Sequence, residues 1–425
     1  MVRQYKESGF GWIGKIPETW EVDIAKHVFR QRRDKGNEEC QLLAATQKYG
    51  MYPQHLLEGV VKVAADTDLS QFKTVHRNDY VISLRSFQGG FEMSDFEGVC
   101  SPAYQVFFAT RQISNQYYKY LFKSDAFIQE INSLTVGIRE GKNILYDDFA
   151  LLPIPIPTVC DQQRIAEYLD EKCGEIDALI ALQEQMIAQL TDYKQSVITE
   201  AVTKGLNPDA ELVPSGIDWI GDVPTGWKVC RIKDIFRLRT GTTPKDFEQG
   251  LSSDALVNWF TPSDVAEMNC ELSTSERHLS QEVIKKEGIE LSPAGSLVFV
   301  GIGASAGKIG YATVEGYSNQ QITMLIPKQN KCFGKYSYFY MIADRKRIRD
   351  NAFFTTLPII NNSYLSGIKT LQPPISDQHA IAEYLDAKCS EIDRLIETKR
   401  QKIDTLKEYK KSVIYEAVTG KTVII

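Results

Sequence analysis

The 425-residue sequence predicts an α+β fold in which two α/β domains alternate with two long helices. Three observations support this prediction. The segment at 161–203 returns without a gap at 377–419. A short tryptophan-containing sequence also occurs twice, and each stretch between the repeats has strand-like runs followed by a helix-like run. Internal repeats of this size indicate that one structural plan is used twice along the chain.

The long repeat is predicted to be helical because its apolar residues recur at steps of three, four and seven, as in a coiled coil. Prolines precede both copies, and Gly205 and Gly420 follow them, as expected at helix boundaries. The pattern predicts helices over 161–205 and 377–421. At a rise of 1.5 Å per residue, each helix would be roughly 65 Å long.

Two copies of one apolar seam predict that the helices pack on each other, antiparallel, as a rigid pair. The alternative is two unrelated amphipathic helices, each buried in its own domain, and the gap-free repeat argues against it. We expect the core of the helix pair to contain the apolar residues Ile176, Ile180, Ile187, Leu190, Val197, Ile392, Ile396, Ile403, Leu406 and Val413. The polar seam residues Gln183, Lys194, Lys399 and Lys410 either fix the register or lie at a solvated edge.

The segments near 23–150 and 230–370 differ in sequence but share an order of predicted elements. Each has two strand-like apolar runs and then a long helix-like run. These runs begin at Asp79, Tyr104 and Asn115 in the first segment and at Ser296, Ile322 and Lys335 in the second. Each segment therefore resembles a diverged copy of one small α/β domain.

Composition excludes several classes of protein. The net charge of -6 argues against a polycationic DNA-binding protein, so any nucleic-acid contact relies on local patches or on basic partners. The cysteines form no CxxC and the histidines no HExxH, so we expect no metal site and reduced thiols. No apolar run is long enough for a membrane span, and no secretory h-region is seen. We expect a cytoplasmic protein.

The glycine-rich sequence GIGASAGKIG, from Gly301, lacks the spacing of a phosphate-binding loop. A Walker loop requires GxxxxGK followed by Ser or Thr, and here Ile302 and Ile309 occupy two of those positions. The dinucleotide motif GxGxxG also fails because residue 306 is alanine. We expect instead a loop between strands that presents Ser305 and Lys308 outward.

The repeated elements resemble the specificity (S) subunits of type I restriction-modification systems. The resemblance rests on the WIG.IP..W.V sequences at Trp12 and Trp219 and on the duplicated IAEYLD.KC.EID…SVI.EAVT helix. The sequences TQKYGMYP, TGTTPK, GKIG and NQ are similar to segments that recur in the target recognition domains of this family. The resemblance covers essentially the whole chain.

The resemblance implies two α/β target recognition domains joined by two long antiparallel coiled-coil helices. The first recognition domain would occupy 1–160, the central conserved helix 161–205, the second recognition domain 206–376 and the C-terminal conserved helix 377–421. Each recognition domain would read one half of a bipartite target in double-stranded DNA. Because the two segments differ strongly, that target should be asymmetric.

The resemblance also implies a set of partners. The helix pair would set the spacer between the half-sites and dock two modification (methyltransferase) subunits, and restriction (motor-endonuclease) subunits would join them. In the family, S-adenosylmethionine binds to the modification subunit, which methylates adenine at N6. The chain itself is then expected to hold no cofactor and to be non-catalytic, consistent with its lack of an NPPY-like tetrapeptide.

The candidate DNA-contacting residues lie in polar clusters of arginine, lysine, asparagine, glutamine, serine and threonine, the side chains that contact phosphates and base edges. The same residue types also form ordinary turns. In the first segment the candidates are Thr46, Gln47, Lys48, Tyr49, Arg85, Ser86, Gln88, Arg139, Lys142 and Asn143. In the second they are Thr240, Thr242, Thr243, Lys245, Ser305, Lys308, Asn319, Gln320, Gln321, Asn361, Asn362 and Ser363.

Two other functions are compatible with parts of the pattern. A non-catalytic coiled-coil scaffold whose globular domains bind proteins would show the same helices but would not bind DNA. An enzyme in its own right, such as a nuclease or a methyltransferase, would need a carboxylate cluster or a cofactor motif that the sequence does not show.

Overall fold

The computed structural model describes residues 4–36, 40–58, 69–134, 144–245, 257–267, 270–350, 353–354 and 358–424. The chain forms two compact units. The first comprises 1–184 with 400–425, and the second comprises 185–399. Each unit contains an α/β domain and a part of each long helix, in agreement with the predicted α+β fold.

The two long helices are Val159–Lys204 and Ile375–Val418. Both begin two residues earlier than predicted. The hydroxyl of Thr158 accepts a hydrogen bond from the Asp161 amide at 3.1 Å, so the first helix is capped before its first acidic residue. Both helices also end sooner than predicted, at Lys204 and Val418, and they are followed by Gly205 and Gly420, whose φ of 74° is the left-handed conformation that terminates a helix.

In each unit the two helix segments pack antiparallel through the predicted seam. In the first unit Ile165 and Leu169 share one apolar core with Val413 and Ala417. In the second unit the corresponding core contains residues of the same repeat positions, namely Val197, Ala201, Ile381 and Leu385. Burial of these apolar faces is the main source of helix stability in a pair of this kind.

None of the ten residues predicted for the helix-pair core is exposed. Six are buried, namely Ile176, Val197, Ile392, Ile396, Ile403 and Val413. Four are half-buried, namely Ile180, Ile187, Leu190 and Leu406. Three of the half-buried residues, Ile180, Ile187 and Leu190, lie in the first long helix, and Leu406 lies in the second.

The first unit is built on an antiparallel sheet. Its strands lie in the order Phe29–Arg32, Gln105–Ala109, Tyr80–Ile82 and Glu92–Met93. Phe107 is opposite Gln31 on one side and Tyr80 on the other. The remaining described strands are Tyr5–Glu7, Lys15–Pro17, Glu21–Ile24, Leu43–Thr46, Gly50–Pro53, Lys73–Val75, Gly98–Cys100 and Pro153–Ile156. The helices are Ala25–His27, Gln54–Leu56, Leu69–Gln71, Ser86–Gly89, Asn115–Phe122, Asp125–Ser133 and Tyr146–Ala150.

The second unit has a related sheet. Its strands lie in the order Phe236–Thr240, Ile322–Pro327, Leu297–Val300, Ile309–Ala312 and Glu271–Leu272, and the last pair is parallel. The remaining described strands are Leu212–Pro214, Asp222–Pro224, Lys228–Arg231, Val257–Phe260, His278–Leu279, Tyr317–Ser318, Phe353–Phe354, Pro358–Ile359 and Lys369–Gln372. The shorter helices are Ile232–Ile235, Gln281–Glu287, Gly334–Ala343, Arg345–Asp350 and Asn362–Gly367.

The first four strands of the second sheet follow the same chain order and spatial order as those of the first. The two variable segments are therefore diverged copies of one domain, as their sequences suggested. The cores differ in detail. Aromatic rings fill the first, where the Phe107 and Phe149 ring centroids are 4.8 Å apart. The second sheet contains aliphatic cross-strand pairs, in which Leu325 lies opposite Leu238 and Leu297.

Two helix predictions are wrong in the same way. The run from Asn115 forms two helices, because the hydroxyl of Ser124 caps a new helix by accepting from the Phe127 amide at 3.4 Å. The run from Lys335 likewise divides at Asp344 into two helices. Neither break contains proline or glycine, so the sequence carries no strong break signal there.

The repeated tryptophans attach each domain to the first turn of a long helix. The Trp20 indole donates to the Asp161 carboxylate at 3.2 Å, and the Trp227 indole donates to Asp377 at 3.3 Å. Both carboxylates lie in the first helical turn, where the helix dipole favours negative charge. The two copies of the tryptophan sequence thus have the same structural role.

Two buried polar side chains strengthen this attachment. Gln162 accepts from the Ser114 amide at 2.7 Å, and its repeat copy Gln378 accepts from the Phe333 amide at 2.7 Å. These bonds connect each long helix to the loop before a helix of the α/β domain. A buried side-chain amide with satisfied hydrogen bonds fixes the orientation of the long helix relative to this loop. Leaving the amide unsatisfied would lower the free energy of unfolding by about 1–3 kcal/mol.

Candidate nucleic-acid interface

In the first unit, Thr46–Tyr49 forms the tip of a hairpin between Leu43–Thr46 and Gly50–Pro53. The Thr46 hydroxyl accepts from the Tyr49 amide at 2.9 Å and donates to the Gly50 carbonyl at 3.0 Å. These local bonds close the turn and leave Gln47, Lys48 and Tyr49 exposed. The Lys48 ammonium lies 4.9 Å from the centre of the Tyr49 ring, a cation–π distance.

The second predicted cluster of this unit is a single helical turn, Ser86–Gly89. Arg85 and Gln88 are exposed, whereas Ser86 is buried and its hydroxyl accepts from the Ser83 amide at 2.9 Å. The turn and the hairpin approach closely here, since a Cβ at Gly89 would lie 2.8 Å from the Gln47 amide nitrogen and would displace that flexible side chain.

The hairpin and the helical turn line one cavity of about 500 Å³. Its polar lining combines residues of both predicted clusters with two that were not predicted, Ser83 and Glu92. The predicted lining residues are Thr46, Gln47, Lys48, Tyr49, Arg85 and Gln88. The structure therefore brings together side chains that the sequence separates by about forty positions. The other candidates of this segment, Arg139, Lys142 and Asn143, lie outside the described residues.

An ion pair beneath this cavity was not predicted from the sequence. The Lys123 ammonium lies 2.6 Å from the Glu92 carboxylate, whose side chain is 4% exposed. The same ammonium donates to the Gln47 carbonyl at 3.1 Å. Burial raises the pKa of the Glu92 carboxyl, and the nearby Lys123 charge opposes that rise. Lys123 thereby connects the hairpin tip to a carboxylate on the sheet.

In the second unit, Asn362 joins two of the predicted clusters. Its amide nitrogen donates to the Thr240 hydroxyl at 2.8 Å, and its amide oxygen accepts from the Thr323 hydroxyl at 2.7 Å. The loop after Thr240 then follows the 318–321 segment, where the Thr242 amide donates to the Ser318 carbonyl at 2.9 Å and Thr243 donates to Gln320. The sheet therefore gathers these polar side chains at one site.

Asn319 and Gln321 bond to each other within this site. The Asn319 amide nitrogen donates to the Gln321 side-chain oxygen at 3.1 Å, and its oxygen accepts from the Gln321 backbone amide at 3.1 Å. Asn319 is buried, whereas Gln320 is exposed and Gln321 is half-buried. Asn319 thus orients the turn, and the two glutamines are the accessible amides.

The remaining candidates of the second unit have mixed surroundings. Asn361 caps the helix Asn362–Gly367 by accepting from the Tyr364 amide at 2.8 Å, and Ser363 is exposed in its first turn. Lys245 is exposed, and Ser305 is half-buried. Lys308 lies 3.5 Å from the Glu267 carboxylate, so its charge is partly engaged within the protein.

The glycine loop from Gly301 joins two antiparallel strands, Leu297–Val300 and Ile309–Ala312. A phosphate-binding loop leads into a helix whose amides face the anion, and this loop leads into a strand. Among the described residues, no group of three or more His, Cys, Asp or Glu side chains could hold a metal ion. Within the same residues no helix is long and apolar enough to cross a membrane.

These features define a duplicated recognition protein, with two related α/β domains that present different polar side chains and two long antiparallel helix segments in each unit. The family model for the type I restriction modification DNA specificity domain matches residues 17–192 and 224–408. The chain belongs to this family and is a type I restriction-modification specificity subunit with two DNA specificity domains. The resemblance seen in the repeats is thus confirmed, and the scaffold interpretation is not favoured.

Relatives agree over nearly the whole chain. The type I restriction enzyme MjaVIII specificity subunit of Methanocaldococcus jannaschii is 23% identical over 446 residues, which cover 98% of this chain and 96% of the relative. A solved structure on complex assembly and conformational transition of the type I R-M system has a chain with a TM-score of 0.75 and 14% identity, covering 96% of this chain and 99% of that one.

A second solved structure, the HsdS subunit from Thermoanaerobacter tengcongensis, has a TM-score of 0.54 and 15% identity. The match covers 96% of this chain and 98% of that chain. At these identities the two structures establish the fold, and the residues that contact DNA must be argued from this chain itself.

Proposed function

We propose that each unit reads one half of an asymmetric bipartite DNA target. The observation that carries this proposal is that the two units share a strand order but gather different side chains at their polar sites. The first unit offers Lys48, Arg85 and Gln88 around its cavity, and the second offers Thr240, Gln321 and Asn362. Different donors and acceptors select different bases in the major groove.

The side chains suggest which base edges each unit contacts. Arginine bonds well to the two acceptors of guanine, whereas asparagine and glutamine match the acceptor and donor of adenine. The first unit, with Arg85 at its cavity, is therefore suited to a half-site that contains guanine. The second, which is rich in amides and hydroxyls, is suited to a half-site that contains adenine.

We further propose that the helix pair sets the spacer between the half-sites and docks two modification subunits. Apolar side chains on the outer surface of the helices support the second part. In the first unit Leu179 and Tyr409 are exposed, and in the second their repeat copies Leu395 and Tyr193 are exposed. Exposed apolar residues that recur in this way provide two equivalent docking surfaces.

In each unit the two exposed residues lie near the same level of the helix pair. The contact between Asp177 and Lys410 fixes the antiparallel register of the first unit and brings Leu179 near the level of Tyr409. Two equivalent surfaces suit two copies of one partner. In this proposal the partners bind S-adenosylmethionine and methylate adenine at N6, restriction subunits join the complex, and the chain itself is the non-catalytic component acting in the cytoplasm.

The net charge of -6 fits a protein that binds DNA together with more basic partners. In this arrangement the modification subunits supply much of the positive field around the DNA. Tight and salt-sensitive DNA binding by the isolated chain, equal to that of the whole complex, would contradict this part of the proposal.

The test is modified-base sequencing of host DNA with the gene intact and with the gene deleted. We expect one bipartite N6-methyladenine motif to disappear on deletion. Replacing residues 23–150 by the same segment of a relative should change one half of the motif, and replacing 230–370 should change the other half. An unchanged methylome, despite assembly with a modification subunit, would contradict the proposal.

A further inference from the structure

Glu267 lies at the centre of a cluster of positive charges in the second unit. Its carboxylate is 3.5 Å from the Lys308 ammonium and 3.6 Å from the Arg349 guanidinium. Arg345 is closer still and donates to both the carboxylate and the main-chain carbonyl of Glu267. One negative charge is thus surrounded by three positive charges, more than it can neutralise.

Three of these four side chains, all but that of Lys308, border a cavity of about 780 Å³. Glu267, Arg345 and Arg349 line it together with Lys346 and Asp350, so positive charge remains in excess. The Arg345 Nε atom is buried, and it has no hydrogen-bond acceptor among the residues that the structure describes. A buried guanidinium N–H without an acceptor favours the binding of an anion.

The cluster is adjacent to the polar site of the same unit. The loop that begins at Gly301 and ends at Lys308 connects the two. At its start the Gly301 amide donates to the Gln321 carbonyl at 2.8 Å, and the Gly301 carbonyl accepts from the Ile360 amide at 2.8 Å. At its end Lys308 reaches Glu267. The loop therefore places positive charge beside the residues proposed to contact bases.

We propose that Lys308, Arg345 and Arg349 form a contact site for a DNA backbone phosphate, and that Glu267 occupies this site as an internal anion in the free protein. This inference rests on the proposed function of the second unit. Half or more of the hydrogen bonds in protein–DNA complexes go to the backbone and fix the register of the protein on the duplex.

In this proposal a DNA phosphate replaces the Glu267 carboxylate, and this replacement explains why a carboxylate lies at the site in the free protein. Burial alone would raise the pKa of Glu267, but the charges of Arg345 and Lys308 outweigh this effect and lower it, so the carboxylate is ionised at neutral pH. Its side chain is 59% exposed and is free to move into solvent when a phosphate arrives. Glu267 thereby lowers the affinity of the cluster for any DNA, whatever its sequence.

Replacing Glu267 and replacing Arg349 should change the affinity for DNA in opposite directions. In the assembled complex of the full chain with its modification subunits, Glu267→Gln should strengthen binding about 3-fold to 10-fold, because a competing anion is removed. Arg349→Gln should weaken binding and reduce the salt slope by about one unit. Both effects should be equal for a duplex with the target motif and for an unrelated duplex of the same length.

The measurement is a salt titration of the affinity for these two duplexes, with melting temperatures recorded in parallel. Glu282→Gln serves as the control, because it removes one exposed carboxylate of the same unit at the helix Gln281–Glu287 and should change affinity little. The methylated motif of the host should be the same for all variants. A failure of the inference is therefore distinguishable from a failure of the proposed function, which the gene deletion tests.

Two results would overturn the inference. If Glu267→Gln lowers the melting temperature and leaves DNA affinity unchanged, the carboxylate is only a structural partner of the cations. If Arg349→Gln leaves DNA affinity unchanged but weakens assembly with the modification subunit, the cluster binds an acidic protein surface. Arg349 is nearly half exposed, so its replacement tests the site even if the Glu267 variant does not fold.

Discussion

Lys194 of the first long helix donates to both carboxylate oxygens of Asp393 on the second, at 2.7 and 2.8 Å. Lys410 and Asp177 make the same contact in the first unit, with both distances 2.7 Å. The two pairs are repeat copies of each other. Two of the seam lysines that the sequence left open between register and a solvated edge, Lys194 and Lys410, are thus paired across the helices.

The two ion pairs should differ in their contribution to stability because they differ in burial. The Lys194 side chain is 2% exposed, whereas that of Lys410 is 28% exposed. Asp393→Ala should lower the free energy of unfolding by about 2 kcal/mol, because a buried ammonium loses its partner. Asp177→Ala, the matched control, should cost less than about 1 kcal/mol. Denaturant unfolding of both variants checks this, and equal losses would contradict it.

Removal of Lys123, which leaves the buried Glu92 without its partner, should make the stability of the chain depend on pH. Burial already raises the pKa of Glu92, and loss of the Lys123 charge should raise it further. A raised carboxyl pKa in the folded state favours the protonated form, so stability is greater at low pH and falls as pH rises through that pKa. Lys123→Met should therefore lower the melting temperature more at pH 8 than at pH 5.

The control for this variant is the addition of Glu92→Gln, which should abolish the extra loss at pH 8. Because Lys123 also holds the Gln47 carbonyl, Lys123→Met should weaken discrimination in one half of the methylated motif and leave the other half unchanged. An equal loss in both halves would show that the lysine acts on the stability of the chain and not on the hairpin.

The exposed apolar residues of the helices should determine how many modification subunits bind. Tyr193→Ser with Leu395→Ser should remove one bound copy, because the second unit loses its proposed apolar docking surface. Adding Tyr409→Ser should weaken the second copy. Native mass spectrometry of the assembled complex measures the stoichiometry. Leu291→Ser, which removes an equally exposed leucine outside the long helices, is the control and should leave two copies.

The cysteines should react with thiol reagents at very different rates. Burial raises the pKa of both Cys100 and Cys332 to about 12, so these thiols are protonated at pH 8. Cys160 is exposed in the first turn of the first long helix. Alkylation of the folded protein at pH 8, followed by peptide mapping, should modify Cys160 well before Cys100 and Cys332. Cys160→Ser should remove this early product, and equal rates would contradict the buried position of Cys100 and the half-buried position of Cys332.

The architecture of the chain could be predicted from the sequence where the signal is local and repeated. The apolar steps around Ile176 and Ile392 predict the helix seam, and Gly205 and Gly420 predict where the helices end, because both signals depend on backbone geometry alone. The breaks at Ser124 and Asp344 were missed. A serine cap starts the second helix at Ser124, and local propensity at either junction is too weak to decide between one helix and two.

The candidate sites were only partly predictable for the same reason. The sequence identified Gln47, Arg85, Thr240 and Asn362 as polar residues in loops, but not which of them meet. Glu92 and Lys123 gave no local signal, since a charge in a strand or at a helix end is commonly solvated. Their meeting with Gln47 depends on sheet register and on the close approach of the hairpin to the helical turn.

The sequence by itself determined the duplicated arrangement, the two long helices and the family. Each is apparent from the repeated segments, whose apolar spacing and helix-boundary residues act through local backbone geometry. Only the tertiary structure decided which polar residues form each site, which cations surround Glu267, and which of the equivalent lysines Lys194 and Lys410 is buried. The physical reason is that charge pairing and burial depend on distances between residues far apart in the chain, which folding sets and sequence spacing does not.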